Sequence, residues 1–285
     1  MRTAICLALI ASFAALVACS DHREPVATTG TASDAASGVF TIIATEAGFE
    51  APDHVASGMR HIVYENRGSE IHEAMFIKLA TGMTARDYVS AAQGGALFPE
   101  GARDYSGPGL TSPGGKAELW IELDPGKYII ICWFRNHAET MPVHELTVDA
   151  ERKDDAPPPA ADVVVKLIDF HIDIEGELHA GPQVMRIEMM GPSMHEMDLY
   201  RLDDGKTPED LKAWYKNDQE GPAPARAGTG ILDSHDITRV VTIKQDLSPG
   251  HYVFECQMPM STDPAAPRVN VSHLDAGMVR ELTIP

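Results

Sequence analysis

Positive charge is what this sequence has least of. In 285 residues, 23 Lys and Arg stand against 42 Asp and Glu, a formal net charge of −19. Nucleic-acid-binding proteins cluster Lys and Arg to neutralise phosphates, so nucleic acid is excluded as a partner. Cysteine is scarce as well. Four residues are too few for a small disulfide-stapled scaffold. The extended apolar run at residues 4–18 is shorter than the roughly 20 residues a membrane-spanning helix needs. What is present is an ordinary globular composition, 44% hydrophobic and 23% charged. The length suggests two domains, each able to bury a core.

The apolar run follows Arg2 and ends in Leu16, Val17, Ala18 and Cys19. A basic start, a short apolar core and small residues at its end describe an export signal. The final four residues look like a bacterial lipobox, in which Cys19 becomes the lipid-modified first residue after cleavage. Residues 1–18 are thus expected to be a lipoprotein signal peptide. Residues 19–38, rich in Thr, Ser, Ala and Gly, are expected to be a flexible tether. The resulting expectation is a protein of the bacterial cell envelope, held to a membrane by its lipid and facing the periplasm. Only Cys132 and Cys256 would then remain as thiols, in an oxidising compartment where idle thiols pair or oxidise.

The rest of the chain repeats itself. Residues 58–73 lie over 181–196 with glycines, a turn glycine (Gly68, Gly191) and a His-Glu pair aligned at an offset of 123. Residues 123–132 lie over 247–256, and residues 137–148 over 273–284. Between the halves, residues 151–161 carry charge and then Pro157, Pro158 and Pro159, the composition of a semi-rigid extended linker. This places one domain at 39–150 and a second at 162–285. Short β-prone runs bounded by turn residues predict antiparallel sandwiches. One helical piece interrupts each repeat, opening at Thr84 and at Thr207, with Pro208 suited to the first helical position.

Both repeats place a histidine after the early turn, a cysteine closing a strand, and then a histidine and a methionine. The first set is His72, Cys132, His137 and Met141; the second is His195, Cys256, His273 and Met278. A thiolate, two imidazoles and a weak thioether form the trigonal set that suits copper cycling between its two oxidation states. One copper per domain is therefore expected. Four residues separate Cys132 from His137, but sixteen separate Cys256 from His273, so the longer loop must return its end to the cysteine. Glu73 and Glu196 follow the ligand histidines and are read as solvated or supporting groups. His144 is a competing imidazole, while His61, His171, His179, His235 and His251 lack repeated counterparts and are read as surface residues.

The upstream histidine, the Pro-Gly-x-Tyr-x-x-x-Cys strand ending at Cys132 and at Cys256, and the Cys…His…Met loops resemble the blue-copper cupredoxin family. That resemblance covers both repeats. It implies an all-β chain of two tandem cupredoxin-like Greek-key β-sandwiches, each with a short helical insertion, and azurin- or plastocyanin-like copper chemistry. Family members that are enzymes place histidine beside the thiolate ligand to reach a second copper. Here Ile131 and Trp133 flank Cys132, Glu255 and Gln257 flank Cys256, and no two of the twelve histidines are separated by a single residue. The expectation is a non-enzymatic, lipid-anchored carrier of single electrons between redox partner proteins, its acidic surface steering a basic partner. Two alternatives stand beside it. One is copper(I) handling, favoured by Met189, Met190, Met194, Met197, Met258 and Met260; the other is a metal-free binding or scaffold module.

Overall fold

Alternating burial builds the first sheet. Phe40, Ile42 and Ala44 point inward on one strand, Ile62, Tyr64 and Asn66 on another, and the residues between them face out. That period of two is what a half-buried strand requires. The computed structural model describes residues 38–94, 96, 99–152, 155–228, 240–260 and 271–285. The leader at 1–18, most of the tether, and Cys19 lie outside them.

The first repeat contains β1 (Val39–Thr45), β2 (Gly48–Glu50), β3 (His54–Asn66), β4 (Met75–Lys78), α1 (Ala85–Gln93), β5 (Arg103–Asp104), β6 (Lys116–Leu123), β7 (Gly126–Ile131), α2 (His137–Thr140) and β8 (His144–Arg152). The second contains β9 (Val163–Ile168), β10 (His171–Glu175), β11 (Gly181–Met189), β12 (Asp198–Leu202), α3 (Pro208–Lys216), β13 (Ala225–Ala227), β14 (Val240–Leu247), β15 (Gly250–Glu255) and β16 (Val279–Ile284). The strands correspond one for one. In each repeat the first strand runs parallel to the third, which pairs antiparallel with the sixth: β1–β3–β6 and β9–β11–β14. The facing sheets are β5–β4–β7–β8 and β13–β12–β15–β16. In the first repeat β3 also reaches this second sheet, through a register break between Ala56 and Ser57.

The expected two cupredoxin-like β-sandwiches are thus present, each with its helix. Thr84 and Thr207 cap those helices, and Asp87 and Asp210 complete reciprocal capping boxes, which satisfy backbone donors the first turn leaves free.

The two sandwiches join edge to edge. β6 pairs antiparallel with β14, with Leu119 opposite Ile243, Glu118 opposite Lys244 and Trp120 opposite Thr242. Leu119 and Ile243 are equivalent residues of the two repeats, so the junction is nearly twofold-symmetric and extends one sheet across both domains. His61 belongs to this seam rather than to the open surface. Its ring stacks on Trp120 at 4.1 Å between centroids and its Nε2 lies 2.9 Å from Glu118. Sequence alone could not assign it there, because the seam pairs strands more than a hundred residues apart. A second contact lies above the facing sheets. Ile71, Leu110, Phe134 and Met141 share a buried cluster with Tyr200, Leu211 and Trp214, and Arg135 donates to the carbonyls of Gln219 and Gly221.

Candidate metal centre

Each cysteine closes a buried strand, where its sulfur is fixed by the sheet. β7 delivers Cys132 and β15 delivers Cys256, at 1% and 0% exposure. Neither forms a disulfide. Burial pushes both thiols well above their ordinary range, so a bare thiolate is disfavoured in the absence of a cation. Acting the other way, each sulfur receives two backbone N–H groups, from Glu73 and Phe134 in the first domain and from Glu196 and Met258 in the second. Such donors are arranged for a sulfur that carries negative charge.

The imidazoles arrive by different routes. His72 follows the turn after β3 and is held by a reciprocal backbone pair with Thr111. His137 begins α2, its N–H donating to the Phe134 carbonyl, and the Met141 N–H returns to the His137 carbonyl. Ten residues of chain, 132–141, therefore fold tightly enough to bring cysteine, histidine and methionine together. The second domain reaches the same end with a stem. Met260 N–H donates to Val271, His273 N–H to Met258, and Leu274 N–H to Cys256. These bonds tie the far end of the long loop back to the cysteine strand, so the intervening length does not displace His273.

The distances are alike. Cys132 Sγ lies 3.9 Å from His72 Nδ1 and 3.3 Å from His137 Nδ1. Cys256 Sγ lies 3.9 Å from His195 Nδ1 and 3.4 Å from His273 Nδ1, and those two nitrogens are 3.1 Å apart. For bonds of roughly 2.0 Å to nitrogen and 2.3 Å to thiolate at trigonal angles, donors would stand about 3.5–3.7 Å apart. The residues fit one first-row ion per domain. Met141 and Met278 are buried in the same apolar clusters as the cysteine of their domain. Both are type 1 copper-like sites.

The chain is similar to several solved structures. Reduced auracyanin from Roseiflexus castenholzii is 18% identical, the match covering 40% of this chain and 98% of that one with a TM-score of 0.31. Auracyanin A, described as a "blue" copper protein from Chloroflexus aurantiacus, is 18% identical over 39% of this chain and 99% of that one, with a TM-score of 0.28. A multicopper oxidase is 12% identical over 76% of this chain and 82% of that one, with a TM-score of 0.25. No protein-family model and no curated protein matches the chain. What the sites can do is read from their own geometry.

With Nδ1 turned inward, the outer nitrogens meet carboxylates. His137 Nε2 lies 3.0 Å from Glu70, His72 Nε2 lies 3.7 Å from Glu46, and His195 Nε2 lies 3.0 Å from Asp169. The two at 3.0 Å, on His137 and His195, are hydrogen bonds that fix the tautomer and aim the ring, while Glu46 stands beside His72 as a nearby charge. Desolvation lowers the affinity of His72, His195 and His273 for protons, which keeps the imidazoles available as ligands. Backbone N–H groups and the Ser69 hydroxyl hold Glu46 down to about 2. Gly68 and Gly191 make this closeness possible. A Cβ at Gly68 would stand 2.7 Å from His72 Nε2, and one at Gly191 2.9 Å from His195 Nε2.

Glu73 and Glu196 are supporting groups rather than solvated ones. The Glu73 carboxylate accepts the Trp133 N–H at 2.6 Å, and Glu196 accepts from the Gln257 N–H. Each glutamate thus braces the residue after the ligand cysteine with its side chain, while its backbone N–H faces the sulfur. Burial pushes Glu73 up to about 8 and Glu196 up to about 7. Glu196 is half-buried and lines a cleft open to solvent, and the surrounding protein still desolvates its carboxyl. His144 stands apart from the first site, donating to the Pro52 carbonyl at 3.0 Å. His235 lies outside the described residues.

Proposed function

We propose that the protein carries single electrons through two type 1 copper sites, one in each domain. The observation that carries this reading is the duplicated set of a buried, unpaired cysteine with two inward-facing imidazole nitrogens. His72, Cys132 and His137, with Met141 axial, would hold copper in the first domain. His195, Cys256 and His273, with Met278 axial, would hold it in the second. Copper supplies reversible one-electron chemistry. The chain fixes each cysteine at a strand end, excludes water by burial, and aims His137 and His195 through their outer carboxylates. A rigid donor set changes little between oxidation states, which favours rapid transfer.

The two sites would have separate tasks. Phe134 and Met141 of the first lie in the cluster shared with the second domain. Beside the second site, Phe170 is exposed and its ring edge meets His273 at 5.2 Å between centroids. Met190, Met260 and Val271, also exposed, follow in the adjoining segments. A redox partner would dock at this second site, drawn by the net charge of −19. Lipidation at Cys19 would hold the carrier at the outer face of the inner membrane. Neither cysteine is followed by histidine, which supports a carrier rather than an enzyme.

The methionine-rich second domain weighs less toward copper(I) handling, since Met189, Met197 and Met258 pack in its core. Spectroelectrochemistry separates the readings. A carrier gives two reversible one-electron transitions per chain. Copper(I) that resists reoxidation would favour handling, and a chain that takes up no copper would leave only the scaffold reading.

A further inference from the structure

From the first site a line of aromatic rings runs into the second domain. The Phe134 ring meets the ligand imidazole of His137 at 5.5 Å between centroids and meets Trp214 at 6.1 Å. Trp214 lies 5.4 Å from Tyr215, and Tyr215 lies 6.4 Å from Tyr200, with the two hydroxyls hydrogen-bonded. Every step falls within the roughly 4.5–7 Å at which aromatic rings are in contact. Tyr200 stands on β12 opposite Val253 of β15, the strand that delivers Cys256. Packed side chains thus lead from a ligand of one site to the strand that carries the cysteine of the other. Cys132, Phe134, Tyr200, Trp214 and Val253 belong to one buried cluster.

The fold does not demand these rings. The pairs Met75–Ile131 and Asp198–Glu255 hold the same place in the two domains, as do Ile77–Ile129 and Tyr200–Val253. Tyr200 therefore stands where the first domain has isoleucine. The helices correspond at the offset that aligns Thr84 with Thr207, so Trp214 and Tyr215 stand where α1 has Ala91 and Ala92. Trp214 also carries a cost. Its indole N–H is buried with no hydrogen-bond partner among the described residues, whereas a buried Trp N–H ordinarily finds one. Aliphatic side chains would fill a dry interface as well. What rings add is delocalised electrons, continuous from contact to contact.

Electron tunnelling falls off more steeply across open space than through packed or hydrogen-bonded atoms. Trp133 and Gln257, the residues after the two ligand cysteines, offer another approach between the sites, but it crosses the cleft that both line. The aromatic line crosses where the interface is closed. It also meets a need, because Phe134 and Met141 turn the first site toward the second domain, while His273 lies beside exposed Phe170. We propose that Phe134, Trp214, Tyr215 and Tyr200 couple the two copper sites electronically, so that an electron accepted at the second site reaches the first within one molecule. One site is oxidised by one electron as the other is reduced by one. No bond changes, no proton moves and no ring is itself oxidised. The bridge presupposes the two-copper carrier proposed above.

The test is pulse radiolysis of the fully copper-loaded chain with less than one electron per molecule, both sites being followed by visible absorption and circular dichroism. A first-order redistribution between the sites is expected after the initial reduction, at a rate independent of protein concentration. Trp214→Leu and Tyr215→Leu should each slow that phase at least tenfold, and Trp214→Phe, which keeps a ring, should stay within threefold of the unaltered chain. All three should keep both visible bands and the Cu(II)–Cu(II) distance read by pulsed dipolar electron paramagnetic resonance, so the slowing is not that of a lost site or of parted domains. Unchanged rates in both leucine variants, equal slowing by leucine and phenylalanine at position 214, or no redistribution in a chain with both bands would overturn the bridge and leave the carrier standing. Absence of either band from the unaltered chain would overturn the carrier and the bridge with it.

Discussion

The first ligand loop does two jobs within a few residues. Cys132 and His137 supply donors, and Phe134 and Arg135 between them pack on Trp214 and donate to Gln219 and Gly221 of the other domain. The second loop spans sixteen residues between Cys256 and His273 and closes on a hydrogen-bonded stem beside the exposed ring of Phe170. Equivalent donors, at nearly equal distances, thus sit in unlike surroundings. The lesson concerns which parts of a metal site are free to vary. The sheet ends and the backbone bonds at Cys and His set the donor geometry, while the chain between them is available for other uses. In the first domain that use is the interface; in the second, Met260 and Val271 at the described ends of the loop are exposed.

The contrast can be broken most severely at the sulfur. Cys132→Ser and Cys256→Ser should each halve copper stoichiometry and visible absorbance, measured by metal analysis and spectroscopy, and leave the other site's band intact. Loss of both bands in either variant would show that the sites are not independent. Next in size is the crowding of the outer nitrogens. Gly191→Ala places a Cβ against Asp169 and His195, and Gly68→Ala places one against Glu46 and His72. Each should weaken its own site by about 10–100-fold in chelator competition, and Gly191→Ala should cost more, because its Cβ comes closer to the carboxylate.

Removal of one carboxylate is milder. Glu70→Gln should lower affinity in the first site toward the low end of that range and raise that site's potential, since a negative charge near Cu(II) is lost. Asp169→Asn should do the same in the second site, and voltammetry would show whether each shift stays in its own domain. A pH effect follows from the buried glutamates. Folded Glu73 keeps its proton up to about 8, whereas in the unfolded chain it releases it near 4.5. Between those values unfolding releases a proton, so the metal-free protein loses stability as pH rises. Glu73→Gln should flatten denaturation midpoints across that window, and Glu196→Gln should flatten the narrower one ending near 7. The smallest effect is expected from shortening the second loop. Replacing residues 261–270 with a tight turn should leave the second site's band in place, because the stem already positions His273. Loss of that band would assign the loop a role in the site itself.

Much of this was legible in the chain. The repeat exposed both donor sets, and Thr84 and Thr207 marked the helix starts, because these signals are local or recur at a constant offset. The role of Glu73 was only half visible. Its place after the histidine could be read, but its partner, the Trp133 N–H, lies sixty residues away and meets it only when β4 and β7 pair. The pairing of β6 with β14 was hidden for the same reason, and it moved His61 from the expected surface into a seam. The burial of Asp198 and Glu255 is not legible in the chain, since strand periodicity gives no warning of an acid on the buried side. Only alignment with Met75 and Ile131 exposes the substitution.

The central claim is that one chain holds two type 1 copper sites built from equivalent donors. Copper(II) titration of the metal-free protein, followed by visible absorption and metal analysis, tests it most directly. The expected result is two copper ions per chain and an intense thiolate-to-copper band that grows until the second equivalent is bound. Saturation at one ion, or two ions bound without that band, would contradict the account.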